Sequence, residues 1–503
     1  MNPIRRTKIL ATLGPATDKE GVLEKLFNAG IDVVRLNFSH GSAQDHIDRA
    51  ATVRAMSKKT GRRVGILADL QGPKIRIARF EHDHVWLNDG QYFALDINLA
   101  ENAGDHGQVG ITYAPLAQEA KIGSRLLLDD GRIVLDVVNI VDKTRLECTV
   151  IVGGKLSNNK GINLLGGGLS AAALTDKDKQ DIKTIAKIKA DFVAISFPRC
   201  AEDMHEARQL LADVNCHPSL VAKIERAEAM EAMDEIILAS DVIMVARGDL
   251  GVEIGDAHLP SAQKKLIRRA RQLDRAVITA TQMMESMIEN SIPTRAEVFD
   301  VANAVFDGTD AIMLSAETAA GKYPIQAVEA MARVCIEIDT QSSVSVSKHR
   351  IDTRFERTDE AIAMAAMYMA NHSNDNMAGL IALTESGATP LWMSRIKSSL
   401  PIFAFSTKVE TLGKVTLYRG VIPVYFSPET DSELSVNKQI INILIKLNYA
   451  VKGNQFIITR GDATGKQGST NALKVVTVTD TTILPEKKPA ETPPPAKTLK
   501  KTS

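Results

Sequence analysis

The stretch LVAKIERAEAMEAMDEIILASDVIMVARGD, residues 220–249, decides the fold. It opens on an apolar run, Leu220–Glu225, that closes in Lys223-Ile224-Glu225. A helical pattern, Ala227–Ala239, follows, then a second apolar run, Val242–Ala246, stopped by Arg247-Gly248-Asp249. Strand, helix and strand in so short a span form a crossover unit of a parallel sheet. A buried ion costs on the order of several kcal/mol unless it is paired or bound to a metal. Carboxylates at neighbouring strand ends, Glu225 and Asp249, suit a hard divalent cation such as Mg²⁺. Lys223 between them suits a phosphate or an enolate oxygen. Together they read as a site that makes or breaks a phosphorylated small acid. The competing reading is a pair of structural ion pairs with Arg226 and Arg247.

Outward from this unit the pattern repeats. Strands are expected at Lys8–Thr12, Val33–Asn37, Val64–Asp69, Phe192–Ser196, Ala276–Thr281 and Ala311–Ser315, besides the two above. Helices are expected at Gly21–Ala29, Ala43–Ser57, Lys177–Lys189 and Ala262–Gln272, and Thr294 with Glu297 forms a capping box. About eight units is the number that closes a (β/α)₈ TIM barrel. An open doubly wound sheet is the alternative, weakened because no GxGxxG follows a strand. Polar residues gather at the strand ends: Arg35 and Asn37, Asp69, Ser196, Glu225, Thr281 and Ser315. Barrel enzymes place their chemistry there.

The alternation breaks between the third and fourth strands. Residues 71–168 read as an inserted β-rich lid, with a hairpin of Leu126–Asp129 and Ile133–Val138 joined by a tight Asp130-Gly131 turn. Gly166-Gly167-Gly168 is its expected hinge. Residues 1–70 and 169–346 then form the barrel, and 347–482 a C-terminal α/β domain. That domain's strands are expected at Leu380–Leu383, Pro401–Phe405, Val421–Tyr425, Gln455–Thr459 and Val475–Val478, with a helix at Glu360–Asn371. The Lys/Pro-rich tail, 483–503, is expected to be disordered.

Composition excludes several classes. With 61 basic and 61 acidic residues, nucleic-acid binding is not expected. The four cysteines form no CxxC pair and read as reduced thiols of a cytoplasmic protein. No signal peptide and no membrane span is expected.

Several stretches carry a family resemblance: KILATLGPAT (8–17), VRLNFSHG (34–41), DLQGPKIR (69–76), GGKLSNNKGIN (153–163), KIER (223–226), MVARGDLGVE (244–253), TATQMMESM (279–287) and MLSAETAAGKYP (313–324). In this order the chain resembles pyruvate kinase over all but its tail. Among relatives it is similar to the bacterial type activated by a sugar monophosphate or AMP. The resemblance implies phosphoryl transfer from phosphoenolpyruvate to ADP, giving pyruvate and ATP, in a homotetramer. It places Mg²⁺, or Mn²⁺, on Glu225 and Asp249. It sets Lys223 over the phosphoryl group and enolate oxygen, and Thr281 on a proton relay that Ser315 and Glu317 extend. Arg35 would clamp the phosphate. Backbone N–H groups around Gly248 would take the substrate carboxylate, the Arg247 side chain pairing structurally. Asn37, Ser39 and His40 would line the nucleotide region, and Arg76 and Lys160 would meet ADP phosphates from the lid.

One departure alters the cofactor expectation. Where the K⁺-dependent pattern has threonine after the aspartate and glutamate after Gly-Pro, this chain has Leu70 after Asp69 and Lys74 after Gly72-Pro73. The monovalent-cation positions are Asn37, Ser39, Asp69 and Leu70. A fixed ammonium at Lys74 would replace the ion, so K⁺ is expected to be dispensable. Thr384, Ser386 and Thr389 open a helix as an effector-phosphate cradle, which Gly468–Asn471 could close. Ala388 stands where some relatives carry arginine. A metal-dependent lyase that stabilises an enolate and a sugar-phosphate sensor with a dead barrel are the competing functions.

Overall fold

The computed structural model describes residues 4–341, 354–428, 432–461 and 468–482. Eight parallel strands close a barrel: Lys8–Thr12, Val33–Asn37, Gly65–Asp69, Phe192–Ile195, Ser219–Ile224, Val242–Ala246, Ala276–Ala280 and Ala311–Leu314. Closure is made where Lys8 pairs with Ala311 and Ala11 with Leu314. The open-sheet alternative is thereby excluded. Most of the strands are wholly buried and apolar away from their ends, as a sheet covered on both faces requires, while Arg35 interrupts the second. The expected helix 227–239 is two helices, Ala227–Glu231 and Met233–Ala239, broken at Ala232. The Thr294–Glu297 capping box is formed.

Four aspartates fasten the strands in pairs at the amino-terminal face. Asp32 Oδ2 accepts from Ile9 N at 2.9 Å, Asp191 Oδ2 from Ile66 N at 2.8 Å, Asp241 Oδ2 from Leu220 N at 2.8 Å, and Asp310 Oδ2 from Val277 N at 2.9 Å. Each aspartate precedes an even-numbered barrel strand and binds the odd-numbered strand before it.

The insertion folds around its own apolar core, which includes Phe93, Leu126, Leu135 and Val150. Its main sheet has six strands, and His84–Leu87 pairs separately with Gly154–Ser157. The hairpin is present, but its turn differs from expectation. Leu128 pairs with Ile133, so four residues, 129–132, make the loop. Asp129, Asp130 and Gly131 all take positive φ (52°, 56° and 84°), which lengthens a two-residue turn. The three glycines expected as the hinge also have positive φ, 88°, 79° and 102°. A Cβ on Gly167 would meet the Glu228 carboxylate at 2.8 Å.

The C-terminal unit is a five-stranded sheet ordered Val421–Tyr425, Ile402–Ser406, Met377–Leu383, Gln455–Gly461 and Thr470–Thr477, the last strand antiparallel. It docks on the amino-terminal end of the barrel. Lys8 Nζ donates to Val421 O at 2.6 Å, Gly420 N to Arg6 O at 2.8 Å, and Arg395 Nη1 to Asp310 Oδ2 at 3.0 Å. One continuous apolar cluster runs from the barrel interior (Leu10, Met244, Met313) into this domain (Leu380, Ala404, Val415). The tail expected to be disordered lies outside the described residues.

Candidate active site

At the opposite end of the barrel the strand-end polar residues converge. Lys223, on the fifth strand, places Nζ 3.1 Å from Glu225 Oε1, 3.3 Å from Asp69 Oδ1, and donates to Ser196 Oγ at 2.7 Å. Ser196 Oγ in turn donates to Leu70 O at 2.7 Å. Arg35 Nε donates to Asp69 Oδ2 at 2.6 Å, and Nη1 reaches Thr12 Oγ1 at 3.3 Å. Two cations thus flank one fully buried carboxylate. Burial opposes the charge on Asp69, but Lys223 and Arg35 outweigh it and hold the carboxyl below its ordinary range. For Lys223, burial works against the ammonium, and Asp69 and Glu225 more than offset it, so its pKa is raised. The lysine is a fixed cation.

Glu225 is different. Its Oε2 accepts from Phe197 N at 2.9 Å. Burial pushes its carboxyl up to about 7; Lys223 opposes this, while Asp249 and Asp69 add to it. Protein charges alone do not fully compensate this carboxylate, which fits a further cation beside it. Asp249 stands in the first turn of the helix Arg247–Ile254. Among the described residues no cluster of three or more metal-ligating side chains exists. Glu225 and Asp249 fit Mg²⁺ as hard oxygen donors that supply part of a shell and leave the rest to substrate and water.

The loop after the seventh strand is held in a strained shape. Thr281 and Gln282 have φ of 66° and 53°, the left-handed region that a β-branched residue avoids. Arg247 explains how they stay there. Its Nη2 donates to Thr281 O at 2.6 Å and Gln282 O at 3.1 Å, while Nη1 pairs with Asp300 at 2.7 Å. Thr281 Oγ1 accepts from Gly248 N at 2.8 Å and donates to Ala280 O at 2.6 Å. The Gly248 N–H, expected to face a substrate carboxylate, is therefore engaged with Thr281. Sequence reasoning assigned Arg247 a structural pair but missed that it clamps the threonine; only the positive φ reveals that need.

Glu317 accepts from Ser315 N at 2.7 Å and Met284 N at 3.2 Å, so it braces the loops after the seventh and eighth strands. Ser315 Oγ is buried without a hydrogen-bond partner. Neither makes a hydrogen bond to Thr281 among the described contacts.

Asn37 Oδ1 accepts from Ser39 N at 3.1 Å, which shapes the loop after the second strand, and His40 is exposed on it. Lys74 Nζ sits 3.3 Å from Asp249 Oδ1. The structure thus brings the lid root to an expected metal ligand. Arg76 and Lys160 lie on adjoining lid segments, since Arg76 bridges Gly161. Arg76 Nη1 donates to Asn159 O at 2.9 Å and Lys160 pairs with Asp129 at 2.7 Å. They are brought together but pair with no residue of the Lys223 cluster.

In the C-terminal domain, Thr384 Oγ1 accepts from Gly387 N at 3.0 Å and Ser386 Oγ from Ala388 N at 3.4 Å, at the start of the helix Ala388–Arg395. Thr389 and Thr470 hydroxyls are 3.0 Å apart, which brings the 468–471 segment to the same place.

A closed barrel with a fixed lysine, an arginine-held aspartate and a buried glutamate at its strand ends has the architecture of a (β/α)₈ enzyme, with a site suited to neutralising negative charge. A family model for the pyruvate kinase barrel domain matches residues 4–328, and one for the pyruvate kinase alpha/beta domain matches 360–476. Pyruvate kinase II of Salmonella typhimurium is 57% identical over 478 residues, 94% of this chain and 99% of that protein. A pyruvate kinase of Haemophilus influenzae is 54% identical over 478 residues, with the same coverage of 94% and 99%. One of Mycobacterium intracellulare is 41% identical over 471 residues, 94% of this chain and 98% of that protein. The chain belongs to the pyruvate kinase family.

Proposed function

We propose that the strand-end cluster carries out the family's reaction with the residues named above. The enzyme moves the phosphoryl group of phosphoenolpyruvate to ADP, giving pyruvate and ATP. An ADP oxygen forms the new P–O bond, the enolate oxygen departs with its electron pair, and C3 of the enolate takes a proton. Phosphoryl transfer is catalysed mainly by positioning and charge neutralisation, and the site is built for both. The observation that carries the reading is Lys223, fixed as a cation 3.1 Å from Glu225 and 3.3 Å from Asp69.

In this reading Lys223 neutralises the phosphoryl and enolate oxygens, and Arg35 clamps the phosphate. Glu225 and Asp249 hold Mg²⁺, or Mn²⁺, which when bound neutralises charge on the substrate oxygens. Thr281 relays a proton to the enolate; a hydroxyl is too weak an acid to act alone. Gly248 offers its N–H to the substrate carboxylate once Thr281 yields it. Asn37, Ser39 and His40 line the nucleotide region, and Arg76 and Lys160 meet ADP when the lid closes. The lid is residues 71–168, hinged on the glycines at 166–168.

Lys74 supports independence from K⁺, because its ammonium already stands beside Asp249 at 3.3 Å. Thr384, Ser386 and Thr389 form the effector-phosphate cradle, for a sugar phosphate or AMP. The enzyme acts in the cytoplasm as a homotetramer; no helix among the described residues is long and apolar enough to cross a membrane.

A coupled assay with phosphoenolpyruvate and ADP in tetramethylammonium buffer with Mg²⁺ tests the reading. Pyruvate should form only with ADP, without K⁺, and faster with ribose 5-phosphate or AMP. Pyruvate release without ADP would favour the lyase. Turnover that begins only when K⁺ is added would refute the role of Lys74.

A further inference from the structure

Far from the barrel mouth, between its amino-terminal end and the C-terminal domain, lies a narrow cleft whose inner space is about 20 Å³ and which opens to about 420 Å³ at its mouth. Four cations face it, Arg6, Arg271, Lys397 and Arg419, against one carboxylate, Asp310. Asp310 is not available to neutralise them. Arg395 holds it with two nitrogens, and it also accepts from Val277 N and Arg419 N. Arg419 is itself committed to Asp339, at 2.6 Å. No carboxylate of the described residues lies within ion-pairing distance of Arg6 or Arg271. Arg271 donates to the carbonyl of Arg395 at 3.1 Å.

Arg6 is the informative residue. It is 4% exposed, and its Nη2 is buried without any hydrogen-bond partner. A buried guanidinium nitrogen left without an acceptor is rare in folded proteins and needs an explanation. Burial pushes Arg6 and Arg271 down to about 10, and it lowers Lys397, with Arg271, Arg419 and Arg6 adding to the effect. These groups stay charged at neutral pH, so positive charge is concentrated around the buried Arg6 guanidinium. The chemistry that satisfies such a site is a compact, multiply charged oxygen anion, which guanidinium groups bind through forked hydrogen bonds.

We propose that this cleft binds a phosphate dianion between the barrel and the C-terminal domain. Its narrowness favours free orthophosphate over the phosphate group of a sugar or nucleotide. The site is separate from the strand-end cluster and from the Thr384–Thr389 cradle, and it stands whether or not the roles assigned there hold. A bound dianion would tie Arg6 of the barrel segment and Lys397 of the C-terminal domain to one ligand.

Thermal unfolding of the full chain in inorganic phosphate, against chloride at matched ionic strength, tests the site. The wild-type melting temperature should rise saturably with phosphate. Arg6→Gln and Arg271→Gln, made singly and together, should lose the saturable part of that rise. Phosphate held at the active site or the effector cradle stabilises wild type and variants alike and cancels in the comparison. An equal phosphate-dependent rise in the double variant overturns the proposal. Ribose 5-phosphate that abolishes the Arg6-dependent rise identifies an effector's phosphate group as occupant; no competition identifies the free ion. Should the variants not fold, wild-type crystals soaked in tungstate decide. An anomalous peak among Arg6, Arg271 and Lys397 supports the site, and peaks found only elsewhere reject it.

Discussion

Lys74 Nζ, at the root of the lid, lies 3.3 Å from Asp249 Oδ1, in the first turn after the sixth barrel strand. The lid root therefore brings a side-chain positive charge to Asp249, an expected metal ligand. Lys74→Glu removes that charge and adds a carboxylate beside Asp249. Turnover in tetramethylammonium buffer should collapse and return when K⁺ is added. A variant equally active with and without K⁺ contradicts the substitution of ion by lysine.

Lys223→Met removes the cation shared by Asp69 and Glu225. Loss of one preorganised donor at a developing negative charge costs about 3–4 kcal/mol, or roughly 10²–10³ in kcat. Mg²⁺ binding, followed by calorimetry, should persist because Glu225 and Asp249 remain. Near-normal turnover would rule out Lys223 as the charge-neutralising group.

Arg247→Lys keeps a charge for Asp300 but gives up the fork that grips the carbonyls of residues 281 and 282. Thr281 should drift from its left-handed conformation, with kcat falling by as much as about 10²-fold, as small displacements at a reacting centre do. KM for phosphoenolpyruvate should change far less, because Lys223 and Arg35 are untouched. A loss confined to KM would place Arg247 in substrate binding instead.

Glu253 sits behind the lid hinge, where its carboxylate accepts from Ala227 N at 2.9 Å and its carbonyl from Gly166 N at 2.9 Å. Burial pushes its carboxyl up to about 7, above the 4.5 of an ordinary glutamate. A native pKa raised above the unfolded value means that the folded chain holds the proton longer. The cost of ionising Glu253 in the folded state is absent below about 4.5, grows as pH rises towards 7, and is constant above that. Glu253→Gln should therefore gain stability relative to wild type between pH 5 and pH 8, by on the order of a few kcal/mol. Melting curves of both proteins across that range check the sign; a difference that shrinks with rising pH contradicts it.

Much of the architecture was legible because buried parallel strands are unbroken apolar runs. The first, second and sixth strands run as expected, Lys8–Thr12, Val33–Asn37 and Val242–Ala246. Four others end one residue early, at Ile195, Ile224, Ala280 and Leu314. The residue left outside is in each case the polar one, Ser196, Glu225, Thr281 or Ser315. These side chains are free to converge because their backbones have left the sheet ladder. Hydrophobicity cannot show that, nor the φ of 66° at Thr281. The lid loop at 129–132 was misjudged because Asp-Gly favours a tight turn, and nothing local announces that Asp129 also takes positive φ. The paired aspartates did leave a trace that went unread: Asp32-Val33, Asp191-Phe192, Asp241-Val242 and Asp310-Ala311 each place aspartate before an apolar run.

Those aspartates make the drum four linked staves rather than eight. Three also anchor the C-terminal domain: Asp310 through Arg395, Asp191 through Arg63, whose Nη2 also reaches Val409 O at 3.2 Å, and Asp32 through Lys8, whose Nζ also donates to Val421 O at 2.6 Å. The bonds that fix how neighbouring strands slide past each other are thus the handles by which the outer domain grips.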